Sequence, residues 1–192
     1  MGYNLVVKPQ LLSLGKLRAW AAGLLLIHGC GSSHVPPAPP GESSAEAVER
    51  MATGYEQEWP EVPQMRADEL PARQWSASDG PLLVDCRSVK ERAVSILPGS
   101  VALADWESAR QVDPERPLLL YCTIGYRSTR AAAGLRKRGI DARNLHGGVL
   151  AWAHAGGNFV DPEGRATRRV HVYGRPWDLL PSGYTSEHGD PR

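Results

Sequence analysis

The residue with the clearest chemical potential in this 192-residue chain is Cys122. It follows an apolar run at 117–121 and begins the segment Cys-Thr-Ile-Gly-Tyr-Arg-Ser. A thiolate is a nucleophile and a thiol is not, and a helix N-terminus or a nearby cation favours the thiolate. Arg127 and a following helix are expected to supply both effects, while Gly125 lets the loop turn its amides inward. The pattern predicts a nucleophilic cysteine in an anion-binding loop.

The elements around this loop predict an α/β fold with a mainly parallel β-sheet flanked by helices, because short apolar runs alternate with helical patterns from about residue 65 onward. Strands are expected at 82–85, 101–103, 117–122 and 142–145. Ligands of such sheets bind beyond the carboxyl ends of the strands. Cys122 follows one strand, and Asp85 and Arg87 lie at the end of another, so both strand ends are expected to face one pocket.

Helix signals accompany each of these strands. Ser88 begins a capping-box spacing that ends at Glu91, and Gly147 and Gly148 lead into a helix that contains Trp152. Ser128 is expected to be the N-cap of an alanine-rich helix over 129–138. Tyr121 and Trp152 are interpreted as core residues, and His146 as structural.

Four segments, in this order along residues 64–156, resemble a single-domain rhodanese (sulfurtransferase) domain: Leu83-Val84-Asp85-Cys86-Arg87, Leu97-Pro98-Gly99-Ser100, Cys122-Thr123-Ile124-Gly125-Tyr126-Arg127-Ser128 and Gly147-Gly148-Val149-Leu150-Ala151-Trp152. The resemblance implies that Cys122 takes a sulfane sulfur as a persulfide from a small anionic donor such as thiosulfate. A thiol or cyanide would accept it, and no cofactor would be required. The resemblance also implies that residues 123–128 bind the substrate, with Arg127 holding the anionic donor and with Asp85 and Arg87 supporting the pocket.

Other interpretations of the same residues remain open. A cysteine phosphatase or arsenate reductase also uses Cys and Arg in a helix-capping loop, but it places five residues between them, whereas this chain has four. A non-catalytic binding or scaffold module is a second alternative. Asp85 and Arg87 form either pocket support or a purely structural ion pair. Cys86 is expected to point away from Asp85 into the core as a structural residue, or else to act as a resolving cysteine.

The first thirty residues predict export. Lys8, Lys16 and Arg18 precede an apolar stretch over 19–27, as in a signal peptide ending at residue 29. This stretch is less than half of the ~20 residues that span a bilayer. Residues 26–30 resemble a bacterial lipobox, which implies lipidation of Cys30 and attachment to the periplasmic side of the cell envelope. The following Gly31 favours the outer membrane in a Gram-negative host.

Three further regions complete the domain organisation. Residues 30–63 are expected to hold the lipid anchor, a proline-rich linker and a short helix capped by Ser43, before Pro60 and Pro63 end the order. Residues 157–192 form an irregular C-terminal extension, in which 168–174 suggests a hairpin or an edge strand. Its apolar residues, Trp177 among them, predict that it packs on a surface that the sequence does not identify.

Composition excludes several classes of function. A net charge of +1 provides no field for nucleic acid. The three cysteines and six histidines have no zinc-site spacing, so neither a metal nor a cofactor is expected. The oligomeric state is left undetermined by the sequence.

Overall fold

The computed structural model describes residues 39–70, 80–109 and 116–189. Its centre is a five-stranded parallel sheet in the order β1-β5-β4-β2-β3. The strands are β1 (Gln64–Met65), β2 (Leu82–Asp85), β3 (Val101–Ala102), β4 (Leu118–Tyr121) and β5 (Ala142–Leu145). The predicted fold class is confirmed. The strand expected at 101–103 ends at Ala102, because Leu103 is the first residue of a helix.

In the part of the chain that the structure describes, five α-helices accompany the sheet: α1 (Ser44–Glu56), α2 (Val89–Arg92), α3 (Leu103–Ser108), α4 (Tyr126–Arg136) and α5 (Gly148–His154). The capping boxes predicted at Ser43 and Ser88 are both present. The prediction that Ser128 caps α4 is wrong. Gly125 is the N-cap, and the Ser128 hydroxyl inside the first turn donates to the Gly125 carbonyl at 3.1 Å. The left-handed conformation of Gly125, with φ of 103°, allows the chain to enter the helix at Tyr126.

Alternation along the strands divides the core into two layers. Leu83, Leu119 and Tyr121 pack with Trp152 on one face of the sheet. The opposite face carries Val84, Leu118, Leu120 and Ala142, which pack against α4 and Trp106. The period of two residues in a strand places successive side chains on opposite faces. The predicted burial of Tyr121 and Trp152 is confirmed.

A third cluster of buried residues attaches α1 and the C-terminal extension to the domain. Val48 and Met51 of α1 pack with Ile124, Leu150 and Val172. Pro60 and Pro63 do not end the order, because the backbone continues through a turn closed by Val62 N–H and the Trp59 carbonyl at 3.0 Å, and then enters β1. Val62 is itself buried, so its contacts hold this connection.

The C-terminal extension folds back onto the domain. An antiparallel pair joins β6 (Phe159–Val160) to β7 (Ala166–Thr167). The segment predicted as a hairpin or edge strand is β8 (Arg169–His171), which pairs in parallel with β9 (Thr185–Glu187). The surface on which the extension packs is therefore its own domain. Within the described ranges, no helix has the length and apolarity to cross a membrane, and no cluster of His, Cys, Asp and Glu is arranged to bind a metal ion.

Candidate active site

Cys122 follows β4, the central strand, and its side chain is almost wholly enclosed, with 1% exposure. The loop reverses over it so that the Gly125 N–H points at the sulfur, 3.2 Å from Sγ. A glycine is required here by its φ of 103°, and a Cβ would also lie 3.3 Å from the Asn144 side-chain nitrogen. The central strand thus places the Cys122 sulfur at the N-terminus of α4.

The first turn of α5 supports the loop from the other side. Val149 N–H donates to the Cys122 carbonyl at 2.9 Å, and Leu150 N–H donates to the Thr123 carbonyl at 3.3 Å. These amides have no partner within their own helix, so the loop carbonyls satisfy them. The contact is so close that a Cβ on Gly148 would clash with the Cys122 carbonyl oxygen. Gly148 is therefore needed for the approach of the two backbones.

Arg127 forms a two-pronged ion pair with Glu91. Its Nη1 donates to Glu91 Oε2 at 2.8 Å and its Nη2 to Oε1 at 2.7 Å, while the Thr123 hydroxyl lies within hydrogen-bond distance of both residues. Glu91 is fully buried. Burial is the largest single influence and would raise the pKa of Glu91, but the hydrogen bonds and charge of Arg127, together with the hydrogen bonds from Ser88, outweigh it and bring that pKa to about 2. The carboxylate is charged at neutral pH and fixes the guanidinium beside the cysteine loop.

The guanidinium of Arg127 also interacts with Cys122. Burial alone would lower the pKa of Arg127, but the hydrogen bonds to Glu91 and the negative charge of the Cys122 thiolate together raise it. Arg127 and Cys122 are therefore close enough to interact electrostatically, as the sequence-based interpretation requires.

Glu91 is the site residue that the sequence analysis missed. The capping box gave Glu91 a sufficient local role, since Ser88 N–H donates to Glu91 Oε2 at 2.8 Å. Its second partner lies 36 residues further along the chain. The available signal was topological: α2 follows β2 and the cysteine loop follows β4, and these two strands are neighbours.

Asp85 and Arg87 form a buried ion pair at the end of β2. Arg87 Nη2 donates to Asp85 Oδ2 at 2.8 Å and to the Ser95 carbonyl at 2.7 Å, and both side chains are almost fully enclosed. Burial is the largest single influence and acts to lower the pKa of Arg87, but the charge and the hydrogen bonds of Asp85, with smaller contributions from Tyr121 and Glu91, together raise it. Arg87 precedes α2 and Ser95 follows it, so the hydrogen bond between them holds the two ends of the helix that carries Glu91. The structure thus supports a structural role that acts on the pocket through α2.

Cys86 packs with the cluster that contains Val84, on the face opposite Asp85, as expected from strand alternation. It is half-buried and free of a disulfide. Burial raises the pKa of the Cys86 thiol, and the negative charge of Cys122 raises it further. The thiol is therefore disfavoured as an anion, which agrees with the structural interpretation rather than with a resolving cysteine.

Aromatic side chains from three segments gather beside the loop. Tyr126 packs edge-on against Tyr55 and Trp59, with ring centroids 5.2 and 5.5 Å apart. From the extension, the Tyr173 ring lies 5.0 Å from the guanidinium carbon of Arg127 and packs against Trp177 at 5.2 Å. The sequence analysis did not assign these contacts, because α1 and the extension lie far from the loop in sequence.

The structure brings most of the predicted site residues together. Residues 123–128 form one continuous loop and helix start around Cys122, within which Ile124 faces α1 and the Ser128 and Thr129 hydroxyls bond the Gly125 carbonyl. Asp85 and Arg87 lie at the end of the neighbouring strand. Cys30, the predicted lipidation site, lies outside the described residues.

Two features define the class of protein. One is the parallel α/β sheet, and the other is the cysteine loop at the carboxyl end of its central strand. The family model of the rhodanese-like domain, which describes the sequences of that family, matches residues 67–155. A sulfurtransferase of Allochromatium vinosum is 36% identical over 87 residues, covering 43% of this chain and 81% of that protein. The chain therefore belongs to the rhodanese-like family.

Solved structures with a similar fold include two proteins whose names refer to rhodanese chemistry. A rhodanese-like domain protein from Staphylococcus aureus is 26% identical, with a TM-score of 0.42, and the match covers 47% of this chain and 91% of that one. A thiosulfate sulfurtransferase from Pseudomonas aeruginosa is 22% identical, with a TM-score of 0.48, and the match covers 65% of this chain and 24% of that one.

Proposed function

We propose that this protein is a sulfurtransferase that carries a sulfane sulfur as a persulfide on Cys122. The observation that carries the proposal is the position of Sγ, 3.2 Å from the Gly125 N–H at the N-terminus of α4. Amides in the first turn of a helix lack intrahelical acceptors, and the positive end of the helix dipole favours a negative charge there. The same amides are available to the outer sulfur of a persulfide.

The reaction consists of two displacements. The Cys122 thiolate attacks the outer sulfur of a donor such as thiosulfate, the S–S bond of the donor breaks, and sulfite leaves with its electron pair. A thiolate or cyanide acceptor then attacks the outer sulfur of the persulfide, and the Cys122 thiolate is released. Neither step needs an external oxidant, because each bond formed replaces a bond broken.

Arg127 is assigned two tasks in this scheme. Its charge stabilises the anionic forms of Cys122, and it orients the donor beside the loop. The ion pair with Glu91 holds the guanidinium in place, so that the group is positioned before the substrate arrives. Asp85 and Arg87 support the same arrangement through α2.

The test is sulfur loading measured by intact mass. The full-length chain is incubated with thiosulfate, washed, and compared with Cys122→Ser and with the matched control Cys86→Ser. We expect one added sulfur atom on the wild-type and Cys86→Ser proteins and none on Cys122→Ser, with release on addition of cyanide. Equal loading of the Cys122→Ser and wild-type proteins would reject the mechanism.

A binding module is the second candidate function, because Cys122 is only 1% exposed and the extension packs beside its loop. Such a module would bind a partner without moving sulfur. An absence of loading on the wild-type protein from any sulfane donor would favour it. The cysteine phosphatase alternative is weaker, because the loop has one residue fewer than that class requires around a tetrahedral oxyanion.

The cellular location is a separate proposal. The charged and apolar pattern of the first thirty residues supports export, and the lipobox-like residues 26–30 support lipidation at Cys30. The proline-rich run at 31–41 would then act as an extended tether between the membrane surface and the folded domain.

A further inference from the structure

A closed series of side-chain contacts lies beside Cys122. Tyr126 contacts Tyr55, Tyr173 contacts Trp177, and Tyr173 also lies over the Arg127 guanidinium. Tyr55 and Trp177 both pack against the buried cluster of Val48, Met51, Ile124, Leu150 and Val172. Tyr126 and Arg127 are neighbours in the chain, so the series closes. We call Tyr55, Tyr126, Tyr173 and Trp177 the aromatic entrance.

Cys122 interacts electrostatically with two members of this series. The charge of Cys122 contributes to raising the pKa of both Tyr55 and Arg127, although burial of Tyr55 and the Glu91 bonds of Arg127 act more strongly. Cys122 is 1% exposed, whereas Tyr173 is 37% exposed. Three members of the aromatic entrance are half-buried and Tyr173 is exposed, so the rings present both packed and solvent-facing aromatic surface beside the cysteine loop.

Tyr173 is held in this position by a costly backbone turn. Its φ is 68°, and among the described residues it is the one non-glycine with positive φ. The Gly174 N–H donates to the Val172 carbonyl at 2.8 Å, which closes a three-residue turn with Tyr173 at its centre. Fully buried Val170 and Val172 anchor the turn on the domain. Strain of this kind persists where packing enforces it, and it often marks a functional residue.

The charges around the aromatic entrance are largely compensated. Glu91 pairs with Arg127, and Asp85 pairs with Arg87. Burial lowers the pKa of His171, the residue two positions before Tyr173, so this imidazole tends to stay neutral. The face of an aromatic ring is electronegative and its body is apolar. The Arg127 guanidinium, which lies against Tyr173, is thus already balanced by Glu91 and offers a dianion little further charge, while an apolar molecule finds four rings to contact.

We propose that the aromatic entrance makes the site selective for sulfane-sulfur donors that carry an aromatic or other apolar body and a single negative charge, in preference to thiosulfate, and that Tyr173 is the main determinant of this preference. The inference rests on the proposed sulfur transfer and specifies its donor. With an aryl thiosulfonate, the Cys122 thiolate attacks the outer sulfur, the bond to the sulfonyl sulfur breaks, and the aryl sulfinate leaves with the electron pair. Two negative charges are present before and after the step.

Binding of unreactive analogues tests the selectivity without turnover. The full-length Cys122→Ser protein is titrated calorimetrically with benzenesulfonate and with sulfate. We expect benzenesulfonate to bind at least about tenfold more tightly, the size of effect that a few apolar contacts provide. Adding Tyr173→Gly should remove most of this preference, and glycine adopts the positive φ without strain, so the turn itself is retained. Equal or tighter binding of sulfate by the Cys122→Ser protein would overturn the inference.

Tyr184→Ala in the same background is the matched control. Tyr184 is also an aromatic residue of the extension, but its ring packs on Phe159 and its hydroxyl bonds the Gly157 carbonyl, outside the aromatic entrance. We expect this variant to keep the preference for benzenesulfonate. If Tyr184→Ala loses it as completely as Tyr173→Gly, the packing of the extension rather than the Tyr173 ring sets selectivity, and the assignment of Tyr173 fails.

The kinetic arm separates this inference from the proposed function. The wild-type protein is assayed with benzenethiosulfonate and with thiosulfate, and sulfur loading is followed by mass. A higher kcat/KM for benzenethiosulfonate supports both proposals. Loading from both donors with thiosulfate preferred overturns the inference and leaves sulfur transfer intact. No loading from either donor rejects sulfur transfer and, with it, the assignment of a donor, even if the analogue titration shows the expected preference.

Discussion

The ion pair between Arg127 and Glu91 ties the chemistry of the loop to a carboxylate that is fully buried. A buried charge is tolerated only when it is paired and hydrogen-bonded, and Glu91 has Arg127, Thr123 and the Ser88 amide as partners. The guanidinium cannot leave without stranding this carboxylate. Arg127 is therefore fixed beside the cysteine loop before any substrate binds, which is the preorganisation that the proposed anionic persulfide would need.

The pH dependence of stability should report this pair. The pKa of Glu91 in the folded protein is about 2, below its ordinary 4.5. The contribution of Glu91 is therefore fully present above about pH 4.5 and is lost as the pH falls toward 2. A depression of this size corresponds to about 3 kcal/mol. We expect Glu91→Gln to show a smaller loss of stability than the wild type between pH 7 and pH 3, measured by urea denaturation.

The matched control is Glu46→Gln, because Glu46 holds the same capping-box position in α1 but has no guanidinium partner among its hydrogen bonds. It should keep most of the acid-dependent loss seen in the wild type. Parallel pH profiles for the wild type and Glu91→Gln would show that the buried pair does not contribute as described.

Among the elements, α1 is attached to the sheet by polar as well as apolar contacts. His146, which follows β5, has its Nδ1 2.6 Å from Glu56 Oε1 and its Nε2 2.9 Å from Glu49 Oε2. Arg66 also bonds Glu49, at 3.0 Å. Through Val48, Met51 and Tyr55, α1 contacts the cysteine loop and the extension. The imidazole thus links the end of β5 to a helix that forms one wall of the site.

A protonated His146 should stabilise the docked helix. Hydrogen bonding to Glu56 is the largest influence and raises the pKa of His146 above 6.5, against the opposing effect of burial. Its contribution is therefore complete below about pH 6.5 and is lost as the pH rises through the folded value. We expect the urea midpoint of the wild type to fall with rising pH from 6 to 9, and the fall to be smaller in His146→Gln.

His154→Gln is the control for this measurement. The Nε2 of His154 lies 2.8 Å from the Leu179 carbonyl, so its partner is neutral. This variant should retain the wild-type slope with pH, whatever its absolute stability. A slope that is unchanged in His146→Gln would contradict the proposed role of the imidazole in holding α1.

At the scale of the whole molecule, the proposed export signal in the first thirty residues is expected to act separately from the folded domain. If Cys30 is lipidated, cells expressing the full-length chain should incorporate labelled fatty acid into it, because lipobox processing acylates the cysteine at the cleavage site. We expect Cys30→Ala to abolish the label and release the domain from the membrane fraction. Cys86→Ala, which alters a cysteine inside the fold, should keep the label. Incorporation that survives Cys30→Ala would refute the lipobox interpretation.

Local patterns in the sequence were sufficient for the central strands and two helix starts. The boundaries of β2 and β5 agree with the apolar runs, because buried parallel strands need continuous apolar residues, and the capping boxes at Ser43 and Ser88 involve residues only three apart. The start of α4 was misplaced. Ser128 satisfies the N-cap preference, but Gly125 alone adopts the left-handed conformation that the loop requires.

Tertiary structure decided which distant residues contact Arg127 beside the cysteine loop. Glu91 reaches Arg127 because β2 and β4 are neighbours, and Tyr173 reaches it because buried valines return the extension to the domain. No local signal encodes such pairs, since their partners are separated by tens of residues and are matched only when the sheet and the core assemble. The sequence by itself thus determined the position of the cysteine loop after a buried strand, whereas the charge balance and the aromatic contacts beside that loop arose from packing between elements.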